Sequence, residues 1–305
     1  MEKLKNNKTK GFILVIIAAL FWGYMGVPTK NLGDLNFDAF SVSFFRTFMA
    51  GIFYFLYCLK KDLNLLKVDK KGLLFFIIYG IIAFGGTFIC YNLSVNYISI
   101  ALATMFMFTS QVWVVILSYF IFKEKFTPKK IIAIVLTLIG CFMMCKIYDT
   151  QNISLNPKGV IFGLISGFTF ALQIILAKIN SSKYNQNTLL AYSFIFASLS
   201  LIPFMNFKNT IHIFQTSNNI SFIIKNIIII GFFNTVIANG AYINSVKYIE
   251  VGIASIIASS EIVLASIIAY LVFYQTLDCI QIIGMTLIIL SIILLQTKDK
   301  KQTIN

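Results

Sequence analysis

Charged side chains are scarce in this sequence of 305 residues, of which 12% are charged and 58% are hydrophobic. A soluble domain carries about twice that charged fraction, roughly 25%. Histidine and arginine occur once each, and only 11 residues are acidic. The apolar segments contain no HExxH pattern, no aspartate-rich diphosphate site and no Ser/His pair. These absences argue against a soluble domain and against an intramembrane enzyme.

The five cysteines do not indicate a metal centre. Cys141 and Cys145 would share a helix face, but no histidine or carboxylate joins them as a set of metal ligands. We therefore expect the cysteines to be structural, and we expect neither a metal site nor a cofactor.

Long apolar runs, in contrast, are abundant. A helix needs about 20 apolar residues to cross roughly 30 Å of hydrocarbon. Ten runs approach this length, at 11–28, 39–59, 72–92, 99–121, 129–146, 159–178, 188–206, 222–243, 251–273 and 279–296. They predict an all-α integral membrane protein with ten transmembrane helices, arranged as two five-helix repeats, 1–150 and 151–305. Because each repeat has an odd number of spans, the second must be inverted relative to the first, an arrangement typical of secondary transporters.

The net charge of +14 is explained by the distribution of lysines between loops rather than by a nucleic-acid partner. With the N-terminus inside, 19 lysines lie on the inner side and 5 on the outer side. Cytoplasmic loops of membrane proteins carry such an excess. The imbalance predicts a multi-pass protein of the bacterial inner membrane with both termini in the cytoplasm.

The two halves resemble each other and, together, a known family. Residues 94–125 align with 245–276 at an offset of 151, and the two starts align at an offset of 148. Short motifs follow in a fixed order: Ala19–Gly23, Phe44–Arg46, Ser99–Thr109, Phe122–Lys125 with Gly140, Tyr248–Glu250 and Ala254–Glu261. By these motifs the chain resembles the EamA family of the drug/metabolite transporter (DMT) superfamily over nearly its whole length. The resemblance implies a central cavity lined by spans one to four and six to nine, peripheral spans five and ten, and efflux or exchange of small metabolites.

The sequence departs from that family at two prolines. The family often has proline soon after the span-four threonine and after the span-nine glutamate. Here Ser110 and Gln111 follow Thr109, and Ile262 follows Glu261. Because proline breaks helices, its absence removes a likely break, and the kink geometry of these two spans stays open.

Arg46 is the only arginine, and it lies inside span two, roughly 10 Å along the helix axis from the start of the span. Ionisable groups inside spans are costly and usually face the bundle interior. The planar guanidinium can hold a carboxylate through two parallel hydrogen bonds, which lysine cannot reproduce. Three roles stay open: a substrate contact, a structural brace to a helix end or to Glu261, and snorkelling to the interface.

Glu261 is the only acidic residue deep within a span. A carboxyl group in low-dielectric surroundings favours its neutral form, so it can take up and release a proton during a transport cycle. It could instead bind an amine, or form a permanent ion pair with Arg46.

Other polar or aromatic residues within spans are candidate substrate contacts, with helix–helix packing as the alternative for each. The candidates are Trp22, Tyr91, Gln111, Gln173, Asn239 and Tyr242.

Together these features predict a secondary transporter of small metabolites, an exporter of amino acids or related compounds, with proton coupling through Glu261 as a further hypothesis. The expected partners are a small-molecule substrate, the lipid bilayer and protons, and no nucleic acid. The alternatives are a metabolite uptake permease, a flippase for a lipid-linked substrate and, less consistent with the motifs, an intramembrane enzyme.

Overall fold

A computed structural model describes residues 2–147 and 156–296, with side chains from residue 8 onward. Throughout these residues the chain forms helices and turns and no strand. The predicted repeat boundary at 150/151 lies outside the described residues.

The first half contains eight α-helices in its described part: α1 (Glu2–Tyr24), α2 (Gly26–Gly33), α3 (Ala39–Lys61), α4 (Lys70–Ile78), α5 (Gly86–Val95), α6 (Ile100–Phe108), α7 (Ser110–Phe122) and α8 (Pro128–Met144). A π-helical segment, Tyr79–Gly85, joins α4 to α5.

The described part of the second half repeats this pattern with α9 (Pro157–Asn180), α10 (Gln186–Leu201), α11 (Phe207–Thr216), α12 (Ile220–Ile228), α13 (Ala238–Ser245), α14 (Val251–Ala258), α15 (Ser260–Phe273) and α16 (Cys279–Gln296). A second π-helical segment, Ile229–Ile237, joins α12 to α13.

Nine helical stretches in the described part of the chain are long and apolar enough to cross a membrane. They correspond to nine of the ten predicted spans. The remaining prediction, 129–146, corresponds to α8, whose 17 residues cover about 26 Å. Large apolar side chains on the outside of the bundle are exposed, such as Phe120 at 73% and Leu271 at 64%. An apolar outer surface of this kind fits a lipid environment.

The two halves make the same contacts with each other. A Cβ atom on Gly11 would lie 2.7 Å from the side chain of Ile249, and one on Gly159 would lie 2.6 Å from that of Ile98. These pairs are related by the offsets of 148 and 151 seen in the sequence. Two lysine–tyrosine contacts are related by the same offsets. The ammonium group of Lys10 lies over the ring of Tyr248, and that of Lys158 lies over the ring of Tyr97.

Two spans whose kink geometry the sequence left open are broken although proline is absent. Helix α6 ends at Phe108 and α7 starts at Ser110, while α14 ends at Ala258 and α15 starts at Ser260. At each break a hydroxyl group bonds to the carbonyl three residues earlier: Thr109 Oγ1 donates to Phe106 O at 2.6 Å, and Ser259 Oγ donates to Ile256 O at 2.5 Å. Such side-chain bonds bend helices by competing with the backbone ladder.

Helices α8 and α16 form a pair whose backbones approach closely. Gly140 and Gly284 face each other, and a Cβ on Gly284 would lie 2.8 Å from Gly140 O. Thr137 Oγ1 donates to Ser291 Oγ at 2.8 Å across the same interface. Small residues at such crossings allow the close packing on which helix association in membranes depends.

Candidate functional site

A small, partly open void lies where the two broken spans meet. It has about 10 Å³ of free space, and its lining comes from both halves: Phe108, Ser110, Gln111, Val114, Phe170, Tyr242, Ser255, Ala258, Ser259 and Glu261. We call it the central void. In transporters, breaks in spanning helices bring polar groups to the middle of the bilayer, where substrates and ions bind.

Gln111 and Glu261 both line this void, although the offset of 151 aligns Gln111 with Ile262. Each is the second residue of the half-helix that follows a break, α7 for Gln111 and α15 for Glu261. A carboxylate in the first turn of α15 also complements the positive end of that helix. The two halves therefore contribute one amide and one carboxyl group to the lining of the same small space.

Arg46 lies on α3 and is not part of the lining of the void. Its Nε donates to Thr235 Oγ1 at 2.8 Å, and its guanidinium carbon lies 4.8 Å from the centre of the Phe88 ring. Thr235 belongs to the second π-helical segment, and its own hydroxyl donates to Ile230 O at 2.8 Å. Among the described residues, the two terminal nitrogens of Arg46 have no hydrogen-bond partner. The forked end of the side chain is therefore free to bind a ligand.

Arg46 and Glu261 interact electrostatically. However, the ion pairs within 4.0 Å in the described part of the chain do not include this pair. The permanent Arg46–Glu261 ion pair considered from the sequence is thus not formed in this structure, and opposite charges from the two halves border one region without neutralising each other directly.

Of the other predicted site residues, Tyr242 lines the central void. Trp22 packs edge-on against the ring of Tyr242, with the ring centres 5.1 Å apart. The remaining three make contacts within the protein. Tyr91 bonds to Thr104 at 3.0 Å, Gln173 Nε2 donates to Ala83 O at 3.1 Å, and Asn239 Nδ2 donates to Thr235 O at 3.0 Å. The structure therefore gathers Trp22, Gln111, Tyr242 and Glu261 and leaves Tyr91, Gln173 and Asn239 in packing contacts.

Sequence reasoning missed the serines of the void and the role of Thr235. Ser255 and Ser259 fall within the second-half motif that ends at Glu261 and at four-residue spacing, which places them on one helix face. The four-residue spacing of the two serines was the available signal. Nothing in the sequence around Thr235 indicates that it accepts a hydrogen bond from an arginine 189 residues away.

A buried charged cluster closes one end of the bundle, the end at which α1 begins. Glu124 follows α7, and its carboxylate accepts hydrogen bonds from Val251 N at 2.9 Å and Gly252 N at 3.3 Å, the first residues of α14. Lys178 Nζ lies 3.3 Å and Lys130 Nζ 3.7 Å from the same carboxylate. Burial by itself would raise the pKa of Glu124, but the two N–H groups and the two ammonium groups outweigh it and hold the pKa below its ordinary value.

The opposite end lacks this closure. The counterpart of Glu124 at the offset of 151 is Gln275, which is exposed. Helix α7 packs along α14, whereas the corresponding described helices α15 and α6 show no comparable packing. The two ends of an otherwise repeated structure thus differ, and the α1 end is the closed one.

A second, larger groove lies between α1, α3 and α13. It has about 620 Å³ of free space and is bordered by Lys10, Phe53, Tyr54 and Asn244 among others. Glu261 does not line this groove, and its lining contains no carboxylate. The central void is therefore the better candidate for the functional site.

The sequence model of the EamA-like transporter family matches the chain twice, at residues 9–145 and 157–297. A Clostridium kluyveri protein named as an uncharacterized transporter is 24% identical over 300 residues, which is 96% of this chain and 94% of that protein. The Salmonella typhimurium inner membrane transporter YicL, also uncharacterized, is 23% identical over 301 residues, covering 96% of this chain and 97% of its own.

A solved crystal structure has the same fold, with a TM-score of 0.80 at 13% sequence identity. The superposition covers 94% of this chain and 96% of the other.

Proposed function

Since the chain belongs to the EamA-like transporter family and is a multi-pass membrane transporter, we propose that it is a secondary transporter that exports amino acids or related zwitterionic metabolites. Its ligand carries a carboxylate and an ammonium group.

The observation that carries this proposal is the unneutralised pair of charges at the centre. The terminal nitrogens of Arg46 have no hydrogen-bond partner among the described residues, and Glu261 lines the central void without an ion pair within 4.0 Å. A free guanidinium fork suits a carboxylate, and a free carboxylate suits an ammonium group. Opposite charges kept apart in low dielectric are costly, and a bound zwitterion would compensate both.

The architecture proposed around this site has ten spans, with α8 as the fifth, and two inverted repeats. The reciprocal contacts of Gly11 and Gly159 support the repeat. Both termini then face the cytoplasm of a bacterial cell, so the Glu124 cluster closes the cytoplasmic end. Some of the lysines behind this orientation, namely Lys3, Lys5, Lys298, Lys300 and Lys301, lie outside the described side chains.

Proton coupling is proposed through Glu261. It is a carboxyl group of the central void with no hydrogen bond or ion pair within the described residues to hold one protonation state. Uptake of a proton would neutralise Glu261 and weaken its binding of an ammonium group. Proton movement would thereby be linked to substrate release.

The test is exchange in proteoliposomes that contain the purified chain. Vesicles are loaded with an unlabelled pool of amino acids, and the entry of single labelled compounds is followed. We expect exchange of zwitterionic amino acids and no exchange of analogues that lack either the carboxylate or the amine. Efficient exchange of compounds with only one of the two groups would contradict the paired-charge site, and a compound that resides in the bilayer would favour the flippase alternative.

A further inference from the structure

We infer that the central void is a binding site for one small monovalent cation, either an alkali ion such as Na⁺ or the ammonium group of a bound substrate. The shared chemistry is a compact positive charge surrounded by oxygen atoms from both halves of the chain.

The first observation concerns the serine hydroxyls of the void. Ser255 Oγ donates to Gly252 O at 2.9 Å, and Ser259 Oγ donates to Ile256 O at 2.5 Å. A hydroxyl group has one hydrogen to donate and two lone pairs that accept. Because both hydrogens are already committed to the helix backbone, these oxygens can offer only lone pairs to a ligand.

The second observation concerns Gln111 and Glu261. Gln111 lines the void and is only 2% exposed. Its Oε1 atom is buried without a hydrogen-bond partner. A buried acceptor without a partner is costly. Glu261 adds a carboxylate that lacks an ion pair within 4.0 Å in the described part of the chain. The lining therefore offers several acceptor oxygens and one carboxylate, with which the guanidinium of Arg46 interacts from outside the lining.

An anion is disfavoured here. The N-termini of α7 and α15 point toward the void and would by themselves attract negative charge. Glu261 already lies in the first turn of α15 and meets that preference. A second anion in the same small space would be repelled by this carboxylate.

The size and the ligand set select the kind of cation. About 10 Å³ of free space is close to what one water molecule needs, so a single ion or ammonium group fits and a whole amino acid does not. The described residues hold no cluster of three or more histidine, cysteine or acidic side chains. With one carboxylate and several neutral oxygens, the site matches a single positive charge rather than a divalent or transition metal.

Binding can be measured without transport. The full-length chain is purified in choline chloride, and its thermal unfolding is followed while choline is replaced by Na⁺ or by methylammonium at constant chloride and ionic strength. A ligand that binds only the folded state raises the unfolding midpoint in a saturable way. The interpretation of the ligand as the ammonium group of a substrate rests on the proposed function, whereas the presence of a cation site does not.

The deciding variant is Ser259→Ala, which removes one lone-pair donor from the void with little change in volume. We expect the half-saturating cation concentration to rise by about tenfold, the effect of losing one good polar contact. The matched control is Ser198→Ala. Ser198 is also a buried serine that donates to a carbonyl three residues earlier, Ile195 O at 2.7 Å, but it lies in α10 outside the void. The half-saturating cation concentration of Ser198→Ala should equal that of the original chain. Ser255→Ala serves as a second test variant if Ser259→Ala does not fold.

A saturable rise with Na⁺ identifies an alkali-ion site, and a rise with methylammonium but not Na⁺ identifies the amine subsite of the substrate. Equal midpoints in choline, Na⁺ and methylammonium would overturn the inference. So would a test variant whose half-saturating concentration matches that of Ser198→Ala. Amino-acid exchange that fails while cation binding persists would count against the proposed function alone.

Discussion

At the scale of single residues, the proposed function depends on two ionisable groups that are only partly exposed. Arg46 has one hydrogen bond, to Thr235, and Glu261 lines a void too small for bulk water. In a low-dielectric interior each such group interacts strongly with any compensating charge that enters. Substitutions at these two positions should therefore affect ligand binding and coupling more than folding.

Arg46→Lys keeps the positive charge but loses the planar fork. If the fork holds a substrate carboxylate, we expect binding to weaken about 10- to 100-fold, the value of a bidentate charged contact, while the protein stays abundant in the membrane. Substrate exchange in proteoliposomes and the amount of folded protein are measured together. Normal exchange by Arg46→Lys combined with misfolding of Arg46→Ala would identify the residue as a structural brace.

Glu261→Gln imitates the permanently protonated carboxyl group. We expect accumulation driven by an imposed pH gradient to disappear, while exchange of substrate at equal pH remains measurable, because the site can still bind but can no longer release a proton. Both fluxes are followed in the same proteoliposome preparation. A folded Glu261→Gln protein that still concentrates substrate against its gradient would remove Glu261 from the coupling mechanism.

At the scale of helices, interfaces depend on close approach and on capped helix ends. Gly284 packs against the backbone of α8, and Glu124 satisfies the first N–H groups of α14. Both contacts join helices that are distant along the chain, and each leads to a stability prediction.

Gly284→Ala places a methyl group 2.7 Å from Met143 Cβ and 2.8 Å from Gly140 O, so α8 and α16 must separate. We expect a loss of about 1–3 kcal/mol in the free energy of unfolding, as for other overpacked sites. Gly26→Ala is the matched control, because a Cβ there would meet nothing within 4 Å. Equal stability of the two variants would show that the α8–α16 contact is looser than described.

Glu124→Gln removes the anion that caps α14 and faces Lys130 and Lys178. We expect a loss of about 1–3 kcal/mol at neutral pH, because a charged hydrogen-bonded group is replaced at a site where its side chain is only 7% exposed. Glu250→Gln, whose side chain is 50% exposed, should cost less than about 1 kcal/mol.

The same substitution carries a pH signature. Since folding lowers the pKa of Glu124, its stabilising effect is present above the ordinary carboxyl pKa, about 4.3, and is lost as the pH falls through the lowered value. The stability difference between the original chain and Glu124→Gln should therefore be full near pH 7 and shrink at acidic pH. Unfolding midpoints from pH 7 down to about pH 3, below the ordinary carboxyl pKa, measure it, and a difference that grows toward acid would contradict the sign.

At the scale of the whole molecule, the two halves share contacts, but the two ends of the bundle differ. The Glu124 cluster closes the α1 end, and the exposed Gln275 stands at the corresponding position of the other end. A transporter that alternates between two sides needs such an inequality, since the site must be closed on one side while it is open on the other.

Topology is tested with single cysteines in a cysteine-free variant on intact cells. With both termini in the cytoplasm, Asn64→Cys should resist an impermeant thiol reagent until the cells are opened, and Lys208→Cys should be labelled at once. The reverse pattern would overturn the orientation and the assignment of the closed end to the cytoplasm.

The sequence by itself determined nine of the ten predicted spans, because crossing hydrocarbon demands long apolar runs that are visible in the sequence alone. It also singled out Arg46 and Glu261 as candidates, since an ionisable residue stands out within an apolar segment. Only the tertiary structure showed that two spans break at Thr109 and Ser259, where the sequence has no proline. It also decided which polar residues meet at the central void and which end Glu124 closes. The contact of Glu124 with Val251 joins residues 127 positions apart, and local pattern carries no information about such distances.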